Sequence, residues 1–415
     1  MQQRWSSRLA GYAEERLREA EWKLVADPRS RRGRRWALGP MLSAMVTAMM
    51  SGTKSLAELE RLSSTLSPAT RRMLGVPRRL ADTTMRELLC KLDPLALRPV
   101  LHRLIRAAHR RHALTPEHLP FGVVAMDGKV TALPDGRSPY AQRQTHDNGV
   151  PYWLMRTVTS CLVTARAKPC IDVLPIPAAT NEMGVFAQAF AELVRHAGTM
   201  FRLVTYDAGA ASAENARLVV ELGKDYLFRL KNESHHQLQL ISELLIHRPV
   251  AAFTIDVHSN TKSIVRTVRL MSVRQRERSL LWPSIRTLVR VDTWVSEAGQ
   301  TELVETRHAV SSLATDTLSP HQWLIAVRAH WAVENNVHHT LDAVFTEDDK
   351  PMTPGHANGA LVVMVLRRIA YTLLALFRAV TLRAEHNREM PWRALIEWMR
   401  LALITQRAEV MRVCA

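Results

Sequence analysis

Cysteine is scarce in this chain: Cys90, Cys161, Cys170 and Cys414 are the only four among 415 residues, and no two of them form a C-x-x-C pair. That spacing offers neither a zinc ribbon nor a disulfide framework, and it fits a reducing cytoplasm. Residues 1–18 alternate charge with Ala and Leu and lack an apolar h-region, so a secretory signal is not expected. Long hydrophobic runs are missing as well. The run 360–366 is stopped by Arg367 and Arg368, far short of the ~20 residues a membrane span needs. A soluble protein with no membrane contact is the expectation. Acidic residues are too few to balance the basic ones: 39 stand against 56, leaving a net charge of +17. Such an excess favours a polyanionic partner, nucleic acid first, because each phosphate neutralised releases condensed counterions.

What is present is enough chain for two or three domains and a sizeable core. Residues 1–115 read as helical, with apolar positions three and four apart in 40–50 and 97–108. This N-terminal region carries a basic loop containing Arg31, Arg32, Arg34 and Arg35, candidate DNA contacts. A second basic cluster, Arg71-Arg72 to Arg78-Arg79, precedes a helix over 83–91, a layout compatible with helix-turn-helix contact. Solvated helical faces with basic linkers would look much the same.

The pattern changes near residue 116. Residues 121–126 form a run apolar on both faces, as a strand buried on both sides does, ending at Asp127-Gly128-Lys129. Strands are expected at 154–165 and 170–175, a helix at 182–197 and a second doubly buried strand at 201–206, ending at Asp207. A helix at 213–222 and a strand at 225–230 complete a mixed α/β core spanning 116–235. Residues 236–319 read as a β-rich insertion, 320–390 as core helices and 391–415 as a helical tail.

Two buried strands ending in Asp are the most informative local feature, because strand C-termini open onto the crevice where ligands bind. On neighbouring parallel strands the two carboxylates would stand about 5 Å apart, a spacing that suits a hard cation. Either Asp alone is more often a turn or capping residue. A third acid comes from 328–342, read as one helix with His330, Glu334, His338, Leu341 and Phe345 along a single face. Asp342 lies eight residues beyond Glu334, about 12 Å along a helix axis, too far to share its metal. The His330–Glu334–His338 column also matches a zinc site in spacing, without the His-Glu-x-x-His order of a zinc protease, and a packed helix with hydrogen-bonded histidines reads the same way.

At these residues the chain resembles the DDE transposases of bacterial insertion sequences, most closely the ISAs-type branch, whose catalytic core is RNase H-like. The resemblance is carried by Val124-Ala125-Met126-Asp127-Gly128-Lys129, Thr180-Asn181-Glu182, Val204-Thr205-Tyr206-Asp207-Ala208 and Tyr226 to Asn232. Its most specific patch is Arg328-x-His330-Trp331-x-Val333-Glu334-Asn335-x-Val337-His338, continuing to Leu341-Asp342 and Glu347-Asp348. It reaches into the N-terminal region through Asp27 to Trp36 and Gly52 to Leu56. There are departures: Lys231-Asn232-Glu233-Ser234 stands where the family has Lys-Gly-Asn-Gln, the His-Gly-Arg segment is blurred around 259–265, and Leu341 occupies the Lys position of the broader Tyr-Arg-Glu-Lys signature.

The resemblance implies that Asp127, Asp207 and Glu334 bind two Mg²⁺, or Mn²⁺, for cleavage at transposon ends and joining of the freed 3′-OH to target DNA. It further implies a homo-oligomer on DNA. Lys129, Lys231, Arg328 and His338 are candidate phosphate contacts on charge and position. A decayed, non-catalytic DNA-binding protein and a plain metal-dependent nuclease share the fold and charge, although drift would have no reason to spare all three acids.

Overall fold

The computed structural model describes residues 2–405, apart from 137, 208, 210, 232–234, 260–261, 275–281 and 283. Ala208, the Asn232-Glu233-Ser234 turn, part of the 259–265 segment and the end of the tail therefore lie outside the described residues.

The N-terminal part is helical, as expected: α1 (Gln2–Glu19), α2 (Leu38–Met50), α3 (Leu56–Thr65), α4 (Pro68–Leu74), α5 (Asp82–Lys91) and α6 (Pro94–Arg110). Local chemistry sets their ends. Ser55, Ser67 and Asp93 cap α3, α4 and α6 by accepting backbone N–H bonds, with Pro68 and Pro94 at the first helical turn. Gly75, at φ 65°, supplies the left-handed residue that ends α4.

The sheet begins with β1 (Val123–Leu133), β2 (Ala141–Thr145), β3 (Pro151–Leu162) and β4 (Cys170–Ile176). β1 and β3 are antiparallel, and the outer edge of β3 is shared by β2 and β4. Helix α7 (Glu182–Ala197) leads to β5 (Leu203–Tyr206), and α8 (Ala213–Glu221) leads to β6 (Asp225–Leu230). β5 pairs parallel with β1, and β6 parallel with β5. An antiparallel three-strand unit followed by two helix-linked parallel strands is the RNase H-like arrangement, so the fold is mixed α/β around such a core.

Helix α9 (His235–Ile246) precedes β7 (Ala252–Ser259), β8 (Lys262–Ser272), β9 (Thr287–Glu297) and β10 (Gln300–Ser311). These four strands do not fold back into a sheet of their own. β10 pairs with β6, and the order β3-β1-β5-β6-β10-β9-β8-β7 makes one ten-stranded sheet when β2 and β4 are counted. Another difference concerns the first strand, which continues past Met126 to Leu133. Its antiparallel partner β3 extends alongside it, and Lys129, Thr131 and Leu133 alternate inward.

After the sheet come α10 (Pro320–Ala329), a π-helical segment (Val333–His338), α11 (His339–Ala343), α12 (Ala357–Leu376), a second π segment (Phe377–Thr381), α13 (Glu385–Arg388) and α14 (Trp392–Thr405). By length and apolarity alone, 357–381 would pass as a membrane crossing, yet its whole apolar window is buried inside the fold. It packs against α2, α5, α6 and β4. Its two arginines are internally matched: Arg368 pairs with Glu347 at 2.8 Å, and Arg367 donates to Glu347 O. A contiguous apolar core runs from α1 through the sheet to α14, where Trp5 stacks on Trp398. Arg98 of α6 further ties the helices to the sheet through buried Asp172 of β4, at 2.6 Å.

Candidate active site

The parallel register Val123↔Leu203 to Met126↔Tyr206 places residues 127 and 207 side by side at the next position. This follows from sequence in a direct way. Both strands are buried on each face up to that point, and the first charged side chains emerge where the parallel ladder ends.

The third acid arrives differently from the expected continuous α-helix. α10 ends at Ala329, and Glu334 sits in the π segment Val333–His338. A π turn hydrogen-bonds i→i+5, widening the helix and re-aiming its side chains. Here it brings three donor groups together: ligand atoms of Asp127, His330 and Glu334 all lie within 4.8 Å of one another, a spacing that one cation can span. Asp207 stands outside that trio and accepts from Lys231 Nζ at 2.6 Å. It nonetheless adds negative potential to the same place, as its effects on its neighbours show.

Glu334 is held above the ordinary carboxylate range by partial burial and by the charges of Asp127 and Asp207. A second glutamate behaves alike. Glu182, the first residue of α7, is raised by burial first and then by Asp127 and Asp207, despite accepting from Tyr206 Oη at 2.8 Å and from the Gly128 N–H. Burial and Glu182 together push the Tyr206 phenol far up, keeping it a neutral donor. A Cβ at Gly128 would lie 2.1 Å from Glu182 Oε2, so the flexible end of the glutamate would have to shift. Glutamates whose affinity for protons is raised by burial and by neighbouring aspartates belong to a donor set that a divalent cation relieves, so the residues present fit a metal.

The histidines divide the work. His338 Nδ1 lies 3.2 Å from Asp127 Oδ2 and orients that carboxylate. His330 is buried, its Nδ1 3.1 Å from Thr205 Oγ1, and burial lowers its basicity so that the neutral imidazole is favoured.

The expected phosphate contacts fall in several places. Lys129 is only 7% exposed and turns inward, bonding Asp342 and lying 3.4 Å from both Glu347 and Asp348. As an inward-facing position of β1 it meets internal acids, so a phosphate contact there is corrected to a structural ion cluster. That cluster also accounts for Asp342, the acid set aside by distance along the helix. Lys231 is exposed at the acid site, and Arg328 lies on the rim, 3.6 Å from Asp256. Arg31, Arg32, Arg34 and Arg35 are exposed in the loop between α1 and α2, where Arg34 donates to Arg29 O and Asp27 O. Sequence reasoning gave no role to Tyr206 or Thr205 and quoted Glu182 only as part of a motif. The signal for Glu182 was its three-residue motif opening a helix; for the other two, their placement immediately before Asp207.

The Transposase DDE domain matches residues 119–373, more than half of the molecule and all of the acids just described. The chain belongs to that family. Among curated proteins it is 25% identical over 207 residues to the "H repeat-associated putative transposase YhhI" of Escherichia coli (strain K12), covering 47% of this chain and 53% of that protein. It is 24% identical over 196 residues to "Putative protein YbfL" of the same organism, covering 45% and 50%. The chain thus spans about half the length of the curated relatives it matches. A solved structure, "Cryo-EM structure of piggyBac transposase synaptic complex with hairpin DNA", aligns over 99% of this chain and 81% of its own at 12% identity, with a TM-score of 0.44.

Proposed function

We propose that this DDE-family chain is a transposase that cuts DNA at the ends of a mobile element and joins the freed 3′ end to target DNA. The observation that carries this reading is the meeting of Asp127, at the end of the parallel β1–β5 ladder, with Glu334 from the π segment, beside Asp207. Two divalent cations, Mg²⁺ or Mn²⁺, held by these acids would supply an activated water and stabilise the leaving oxygen. The chain's own groups set the geometry. His338 fixes the Asp127 carboxylate, Tyr206 and the Gly128 N–H fix Glu182, and Lys231 offsets the charge of Asp207.

DNA has an approach beside Glu334. An open groove of about 630 Å³ is lined by Arg166, Lys168, Arg328, Trp331, Asn335 and Asn336, donors suited to phosphate oxygens and an aromatic face suited to a base. With a net charge of +17, binding through this groove and the exposed Arg31–Arg35 loop would be steeply salt-dependent. Two ends brought together would require at least two copies, so a homo-oligomer on DNA is part of the proposal.

The test is cleavage of a supercoiled plasmid carrying candidate terminal repeats, with Mg²⁺, by the wild type and by Asp207→Ala. Nicking at the repeat ends that disappears in the variant supports the reading; equal nicking by both sinks it. Covalent joining of the cut end to a second plasmid separates a transposase from a nuclease without strand transfer.

A further inference from the structure

We propose that His330 Nε2 is a direct ligand of the cation held by Asp127 and Glu334, making this a mixed nitrogen–oxygen site rather than an all-carboxylate one. The proposal rests on the metal site argued above and concerns which atoms complete it.

Three observations converge on that nitrogen. His330 is 9% exposed, and its Nε2 is a buried polar atom with no hydrogen-bond partner. Leaving such an atom unsatisfied costs about 1–3 kcal/mol, which a bound cation would relieve. The same ring lies with Asp127 and Glu334 in a cluster whose donor atoms are within 4.8 Å of one another, close enough to share one ion.

The far side of the ring offers a partner for the other nitrogen. Thr205 Oγ1 has one proton and two neighbours, His330 Nδ1 at 3.1 Å and the Val124 carbonyl at 3.5 Å. The carbonyl can only accept. With the hydroxyl proton directed there, Oγ1 accepts from His330 Nδ1–H, and Nε2 is left with a lone pair free to bind a cation. A ligating imidazole whose other nitrogen is bonded to a fixed second group is the usual arrangement at metal centres. β5 and β1 therefore orient the imidazole through Thr205 and Val124, while β1 and the π segment provide the acids.

His338 is the natural contrast. Its Nε2 is likewise buried without a hydrogen-bond partner, but its Nδ1 faces the Asp127 Oδ2 at 3.2 Å and it stands outside the three-residue cluster, so membership of the cluster and not burial separates the two histidines. An imidazole donor also changes the site's metal preference. Mg²⁺ favours oxygen ligands, whereas nitrogen favours Mn²⁺ and the later first-row ions.

The experiment is pulsed EPR of Mn²⁺ added to the full-length chain, prepared once with natural histidine and once with ¹⁵N-histidine. An imidazole nitrogen coupling should appear, change with the isotope, persist in His338→Gln and vanish in His330→Gln. Mn²⁺ affinity measured by titration calorimetry should fall about tenfold or more in His330→Gln, with a smaller change for Mg²⁺. Should His330→Gln not fold, the isotope-sensitive coupling in the wild type and its persistence in His338→Gln carry the proposal. Mn²⁺ bound in an Asp127-dependent way without nitrogen coupling, or with a coupling lost in His338→Gln, overturns His330 as a ligand and leaves the carboxylate site standing. Mn²⁺ binding that Asp127→Asn leaves unchanged overturns both.

Discussion

Glu182 and Glu334 hold their protons more tightly than ordinary carboxyl groups because burial and the charges of Asp127 and Asp207 penalise their ionised forms. For such groups the folded state binds more protons than the unfolded one at pH values just above the usual carboxylate range. Stability of the metal-free chain must then fall as pH rises through their raised values. A bound cation removes that penalty. Mn²⁺ or Mg²⁺ should therefore raise the unfolding temperature more at pH 8 than at pH 5, as differential scanning fluorimetry would register; an equal shift at both would contradict the electrostatic account. Glu334→Gln should raise the metal-free unfolding temperature at pH 8 while cutting the cleavage rate about a thousandfold. That loss corresponds to several kcal/mol of transition-state stabilisation. The three acids were legible as sequence because each sits beside a local pattern: two apolar runs and one His- and Trp-bearing patch. The inward turn of Lys129 was not, since a Lys after an Asp-Gly pair reads as a turn residue until the strand is seen to continue.

Among the elements, the π segment decides where the third acid points. Deleting Asn336 would let the remaining residues close as an ordinary α-helix, removing the widened turn that aims Glu334. Circular dichroism should be nearly unchanged while cleavage falls about a hundredfold, the usual cost of small misplacements at a reacting centre. Such a bulge leaves no mark on an apolar pattern: His330, Glu334 and His338 share a face at α-helical spacing too. Strand β2 was equally hidden, because Ala-Gln-Arg-Gln-Thr has no apolar alternation and pairs along only one edge. The strands buried on both faces, by contrast, could be placed from their apolar runs, although β1 continues to Leu133 where the run itself stops at Met126.

At the scale of the whole molecule, the continuity of the core matters more than the division into regions that composition suggests. The Arg98–Asp172 pair is buried, and His102 Nε2 adds a contact to the same carboxylate at 2.8 Å. Burial alone would raise Asp172, but His102 and Arg98 outweigh it and hold the carboxyl well below its usual range. Arg98→Ala should cost about 3–5 kcal/mol, the range for breaking a buried pair. Because this pair joins helix α6 to strand β4, urea unfolding should shift as one transition, and an early separate loss of helical signal would argue for an independent N-terminal unit. Composition alone could not reveal this. It marked the helical start and the β-rich stretch correctly, but which surfaces they bury depends on partners far along the chain, such as β10 alongside β6, with His308 opposite Leu230.

Gly128 offers a different kind of control over the molecule. Its missing side chain is what allows the Glu182 carboxylate to lie against the β1 backbone, and the first carbon of any other residue would occupy that space. An alanine there alters no charge and removes no acid, yet it must push Glu182 off the Gly128 N–H and strain its bond with Tyr206. Position 128 is thus a locus where an allele can move a carboxylate by steric means while every acidic group remains in the sequence. A sequence scan of family members for intact acids would count such an allele as fully competent.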